Sequence, residues 1–61
     1  MASHTNAEVQ QALKDLGYDP GEIDGAFGPK SSAALAKFQE DKKLTVNGIP
    51  DDKTLKALFP S

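Results

Sequence analysis

The chain has 61 residues, with seven lysines, no arginine, nine acids, no cysteine and a formal net charge of −2. That length holds one small domain, near the lower limit for a fold resting on a hydrophobic core alone. The acidic balance excludes nucleic acid, whose phosphates need a basic face; the lack of cysteine removes disulfide staples and thiolate metal sites; and no apolar run reaches the length of a membrane span.

Residues 1–5 read as a disordered lead or tag remnant without the apolar core of a signal peptide, and residues 6–61 as a single domain. Thr5-Asn6-Ala7-Glu8 has capping-box spacing, so a helix begins there. Val9, Ala12, Leu13 and Leu16 keep one face apolar, while Gln10, Gln11, Lys14 and Asp15 fill the other; Gly17 supplies a left-handed stop, which bounds helix 1 at about 6–16. Asp19-Pro20-Gly21-Glu22 places proline and glycine for a type II turn. A loop punctuated by Gly25 and Gly28, both able to take positive φ, then runs into Pro29 at the first position of helix 2, about 29–42. Leu35 and Phe38 form its buried stripe. Leu44-Thr45-Val46 alternates like a very short strand that could pair with Ile23 to Phe27, and Asn47-Gly48 signals a turn. Asp51 looks like the N-cap of helix 3, about 52–59. The predicted core is Val9, Leu13, Leu16, Ile23, Phe27, Leu35, Phe38, Leu44, Val46, Ile49, Leu55, Leu58 and Phe59.

The chain also echoes itself. Asp24-Gly25, Lys30-Ser31 and Ala34-Leu35 recur as Asn47-Gly48, Lys53-Thr54 and Ala57-Leu58, each 23 residues on. Two copies argue for pseudo-symmetry inside one bundle and against a solenoid, which needs three or more stacked repeats. The fold class that follows is all-α: a small three-helix orthogonal bundle with ordered Asp/Asn-Gly loops.

Catalysis needs a positioned nucleophile, base or metal, and the one histidine, His4, falls in the lead. The expectation is therefore a non-enzyme without cofactor or metal; the acids around Asp19, Glu22 and Asp24, and the Asp51-Asp52 pair, lack the alternating pattern of a calcium loop. For binding, the helix 2 N-terminus offers free amides beside Lys30 and Ser31, a seat for a carboxylate. Local roles stand beside that one: Asp24 and Asn47 turning onto their own loop amides, Phe27 in the core, and Lys30 as a solvated helix start.

Leu16-Gly17-Tyr18, the run Asp24-Gly25-Ala26-Phe27-Gly28-Pro29-Lys30-Ser31, and Phe38-Gln39 together resemble the peptidoglycan-binding domain found beside many bacterial wall hydrolases, over about residues 7–59. The resemblance implies a non-catalytic module that binds peptidoglycan or muropeptides through the stem peptide and anchors a linked or associated hydrolase or envelope assembly, as a monomer, in the cell wall, periplasm or extracellular space. Its ligand-binding candidates here are Tyr18, Asp24, Gly25, Phe27, Gly28, Lys30, Ser31, Asn47 and Gly48. In that reading Lys30 and Ser31 meet a carboxylate, Asp24 an ammonium, Tyr18 a sugar or peptide face and Asn47 an amide, with Phe27 shaping the floor. The second unit departs from the family's pattern: Asn47-Gly48-Ile49-Pro50-Asp51 stands where relatives commonly repeat Asp-Gly-x-x-Gly-Pro, and no arginine follows Ser31. The alternative is a protein-interaction or accessory module, akin to the helical pro-segment of secreted metalloproteases, though no cysteine switch is present.

Overall fold

The computed structural model describes residues 4–60 and has three helices, α1 (Asn6–Asp15), α2 (Pro29–Asp41) and α3 (Asp52–Leu58), with no strand among the described residues. α1 packs against both α2 and α3. Each helix ends one residue before its expected boundary, and the residues left out, Leu16, Lys42 and Phe59, are the three C-caps. The expected lead divides: residues 1–3 lie outside the described residues, Thr5 is the N-cap of α1, and the His4 ring stacks on Phe59 at 3.7 Å.

The core is Val9, Leu13, Ala34, Leu35, Phe38 and Leu58, with Tyr18, Phe27, Leu44, Leu55 and Phe59 half-buried against it. Three expected core residues are exposed: Leu16, Val46 and Ile49, each more than half accessible. Leu16 follows the apolar face of α1 but sits at the C-cap, past the last residue that other elements cover. Val46 and Ile49 flank a turn whose backbone, and not its apolar side chains, faces inward: Gln39 Oε1 accepts the amides of Asn47 (3.0 Å) and Gly48 (2.9 Å), and Gln39 Nε2 donates to the Ile49 carbonyl (2.9 Å). A side-chain amide takes the place of the expected strand partner, so the period-2 alternation that would have buried Val46 with Leu44 does not arise.

Helix ends are closed by named groups. Thr5 and Glu8 form the capping box, with Thr5 N–H donating to Glu8 Oε1 at 2.8 Å and Glu8 N–H to Thr5 Oγ1 at 3.2 Å. Asp51 Oδ1 accepts the Thr54 amide at 2.9 Å. α1 and α2 finish alike. Tyr18 N–H reaches the Leu13 carbonyl and Leu44 N–H the Gln39 carbonyl, the long bond of a Schellman motif, with Gly17 (φ 95°) and Lys43 (φ 59°) in the left-handed position. Late in α2, where the helix dipole disfavours Glu40 and Asp41, Lys37 lies 3.5 and 3.6 Å from their carboxylates. Tyr18 Oη donates to Asp41 at 2.6 Å, which tethers the segment after α1 to the end of α2.

The 23-residue echo is structural. Asp24 Oδ1 accepts the Ala26 amide and Asn47 Oδ1 the Ile49 amide, both at 2.9 Å, while Gly25 (φ 81°) and Gly48 (φ 68°) take the left-handed conformation. Gly28, by contrast, does not use the positive φ open to it and is extended at φ −85° as the N-cap of α2. A Cβ on Gly48 would press on Ser32 Oγ and lie 3.2 Å from the Ser32 carbonyl oxygen, whereas one on Gly28 meets nothing within 4 Å. Gly48→Ala is therefore expected to lose about 2 kcal/mol or more, from left-handed strain plus the clash, and Gly28→Ser to gain a few tenths of a kcal/mol as a better cap; urea unfolding of the two variants checks both signs.

Protonation sets a second expectation. The Thr5 amide first of all holds the Glu8 carboxyl below its ordinary range, Thr54 with Asn47 does so for Asp51, and the Tyr18 hydroxyl does so for Asp41. Because the folded values lie below the unfolded ones, this stabilisation is complete at neutral pH and is lost as pH falls through the folded values, from roughly pH 4 downward. Tyr18 is shifted the other way by its bond to Asp41, so its contribution is lost as pH rises beyond about 10. Melting temperature measured against pH should be level from about 5 to 9 and fall on both sides.

Candidate functional site

The segment between α1 and α2 is held by short bonds within itself and by longer-range bonds to both helices. Asp19 Oδ1 accepts the Gly21 amide at 3.1 Å and Gly21 has φ 83°, but no backbone bond closes residues 19–22, so this side-chain bond stands in place of the expected type II turn. That bond, and then the Lys30 ammonium 3.5 Å from Asp19 Oδ2, holds the Asp19 carboxyl below its usual range. The Pro20 carbonyl accepts the Ser31 hydroxyl at 2.8 Å, pinning the first strip of the loop to the first turn of α2. The second strip, Asp24 to Ala26, is closed on itself by its Asx turn and on α1 by Gln10.

Between the two strips and the start of α2 lies an open hollow of about 290 Å³, lined by Pro20, Gly21, Glu22, Asp24, Ala26, Gly28, Pro29, Lys30 and Ser31. Glu22 and Asp24 supply negative charge to its loop wall. Lys30, whose side chain is 73% exposed, and the α2 N-terminus supply positive charge to the other. No side chain caps α2, although Thr5 caps α1 and Asp51 caps α3. In the repeat Gly28 stands opposite Asp51, so the same helix start is open in one unit and closed in the other.

Of the candidate residues, the structure brings Asp24, Gly28, Lys30 and Ser31 together around this hollow. Gly25 lies in the same strip, with its amide donated to Gln10 Oε1 at 3.0 Å. Phe27 packs half-buried against the core. The Ser31 hydroxyl is internal: it donates to Pro20 and accepts from Gln10 Nε2 at 2.8 Å. Tyr18 does not line the hollow; its ring meets Phe38 edge-on with centroids 5.8 Å apart, and its hydroxyl is held by Asp41. Asn47 and Gly48 also lie outside it. Asn47 Oδ1 accepts from Gln39 Nε2 and its Nδ2 donates to Asp51, while the Gly48 carbonyl accepts from Ser32 Oγ at 3.1 Å.

Pro20, Gly21, Glu22, Ala26 and Pro29 were not among the expected site residues, and Gln10 was placed on the polar face of α1. Gln10 and Gln39 are in fact fully buried. Their signal was a glutamine directly after a core residue, Val9-Gln10 and Phe38-Gln39, on the helix preceding each Asx-Gly loop. A second hollow of about 260 Å³ is lined by His4, Asp52, Leu55, Lys56 and Phe59. Among the described residues no helix is long and apolar enough to cross a membrane.

Comparison with known proteins bears on this arrangement. The chain is 38% identical over 53 residues to the N-acetylmuramoyl-L-alanine amidase CwlM of Mycobacterium tuberculosis, covering 87% of this chain and 13% of that protein. It is 41% identical over 51 residues to the spore cortex-lytic enzyme of Bacillus cereus, covering 84% and 20%. It is also 45% identical over 51 residues to the "Putative OxPP cycle protein OpcA" of Synechococcus elongatus, covering 84% and 12%. The chain thus spans a fifth or less of each of these relatives. No solved structure matches significantly. The family model "Putative peptidoglycan binding domain" matches residues 7–58, which takes in all three helices and both Asx-Gly loops, and the chain belongs to that family of peptidoglycan-binding domains.

Proposed function

We propose that the hollow between residues 20–26 and the first turn of α2 binds the stem peptide of peptidoglycan, and that the chain, itself non-catalytic, holds a linked or associated partner at the bacterial wall. The observation that carries this reading is the uncapped start of α2: Gly28 leaves amides and dipole facing a hollow, where the equivalent Asp51 closes α3 with its own carboxylate. A carboxylate from a ligand fits the place that Asp51 fills internally, with Lys30 as counter-charge. Glu22 and Asp24 on the facing wall suit a free ammonium, and stem peptides carry both groups. The loop at Asn47 and Gly48, whose polar groups are taken up by Gln39, Ser32 and Asp51, serves as a fastener between α2 and α3. The relatives support a wall or extracellular setting, since one is named an N-acetylmuramoyl-L-alanine amidase and another a spore cortex-lytic enzyme.

A second reading, a protein-interaction module, draws on the exposed Val46 and Ile49 beside that turn and on the similarity to a relative whose name does not concern the wall.

An NMR titration of the labelled chain with soluble muropeptides, and with glycan lacking stem peptides, separates the two. Amide shifts are expected at Gly21 to Ser31 with the peptide-bearing ligand alone, and Lys30→Ala should weaken binding about fivefold, the effect of one exposed charge pair of about 1 kcal/mol. Silence at millimolar muropeptide favours the interaction module, and shifts at Asn47 and Gly48 would extend the site to the second loop.

A further inference from the structure

Gln10 touches neither solvent nor the hollow's surface, yet it holds what the hollow is made of. Its Oε1 accepts the Gly25 amide at 3.0 Å, and its Nε2 donates to the Ala26 carbonyl at 2.9 Å and to Ser31 Oγ at 2.8 Å. Because the Ser31 oxygen accepts from Gln10, its single proton is committed to the Pro20 carbonyl 2.8 Å away. One side-chain amide therefore fixes the second strip directly and the first strip through one hydroxyl, and Pro20, Ala26 and Ser31 are all lining residues. We infer that Gln10 is the positioning residue of the ligand hollow, an inference that rests on the stem-peptide reading of that hollow.

The repeat supplies a matched comparison. Gln39 makes the corresponding bonds to the second loop: Oε1 accepts the amides of Asn47 and Gly48, and Nε2 donates to Ile49 O and Thr54 Oγ1, both at 2.9 Å. None of the groups Gln39 holds lines the hollow. Gln10 and Gln39 are both fully buried, and Gln39 makes the three corresponding bonds plus two more, to the amide and Oδ1 of Asn47, so the same substitution damages the fold at least as much at position 39. Only at Gln10 does the damage reach the ligand.

In Gln10→Glu the Nε2 donor is lost. An ionised Glu offers no donor and a neutral one a single O–H, so the Ala26 carbonyl and Ser31 Oγ can no longer both be met. The experiment is muropeptide titration of the wild-type chain, Gln10→Glu, Gln39→Glu and Ser31→Ala, each measured at least 15 °C below its own melting temperature. Ser31→Ala removes the link to Pro20 without burying a charge, and it carries the test if Gln10→Glu does not fold. Gln10→Glu is expected to weaken binding at least tenfold and Ser31→Ala at least threefold, with Gln39→Glu within twofold of wild type. Equal weakening in Gln10→Glu and Gln39→Glu, or unchanged binding in Gln10→Glu, or unchanged binding in Ser31→Ala where Gln10→Glu does not fold, overturns the positioning role while leaving the stem-peptide reading intact. Absence of binding by the wild-type chain overturns both.

Discussion

A chain of 61 residues cannot surround its loops with enough apolar mass to order them, and this one orders them with two buried side-chain amides. Gln10 and Gln39 stand among the most buried residues in the molecule, beside Leu13, Leu35 and Phe38, and each meets backbone amides and carbonyls that would otherwise face the core unpaired. An unpaired buried backbone group costs about 1–3 kcal/mol, a large share of a small domain's stability. Among the described residues no buried side-chain nitrogen or oxygen lacks a partner. The loops are thus fastened by side-chain bonds, with no sheet among the described residues to hold them.

This arrangement explains what could and could not be read from the sequence. The helices were legible to within one residue because their signals are local: the Thr5–Glu8 box, Pro29 after Gly28, Asp51 before α3, and Gly17 after α1. The Asx turns at Asp24 and Asn47 were legible for the same reason. Gln10 was not, since periodicity assigns a face by side-chain polarity, and a glutamine that pairs with distant backbone violates the rule that polar side chains point outward. Val46 and Ile49 failed by the mirror of that argument: where a turn's backbone is drawn inward, its apolar side chains are turned out. Lys43 in the left-handed position, with no glycine to announce it, is a further case of tertiary context overriding local preference.

Of the candidate site, the cluster Asp24, Gly28, Lys30 and Ser31 was visible because it lies on one continuous run. Pro20 and Glu22 join the same hollow beside the left-handed Gly21, where Ser31 bonds to Pro20, a relation eleven residues apart that spacing does not reveal. The 23-residue echo gives two corresponding loop-and-helix corners, and the difference at one position, Gly28 against Asp51, separates a helix start that is satisfied from one that is not.

The stack of His4 on Phe59 brings residues from before α1 and after α3 into direct contact. The described polypeptide thereby enters and leaves the fold at one spot, at a shared aromatic contact. A module shaped in this way can be spliced into the middle of another chain without prying that chain's two cut ends apart.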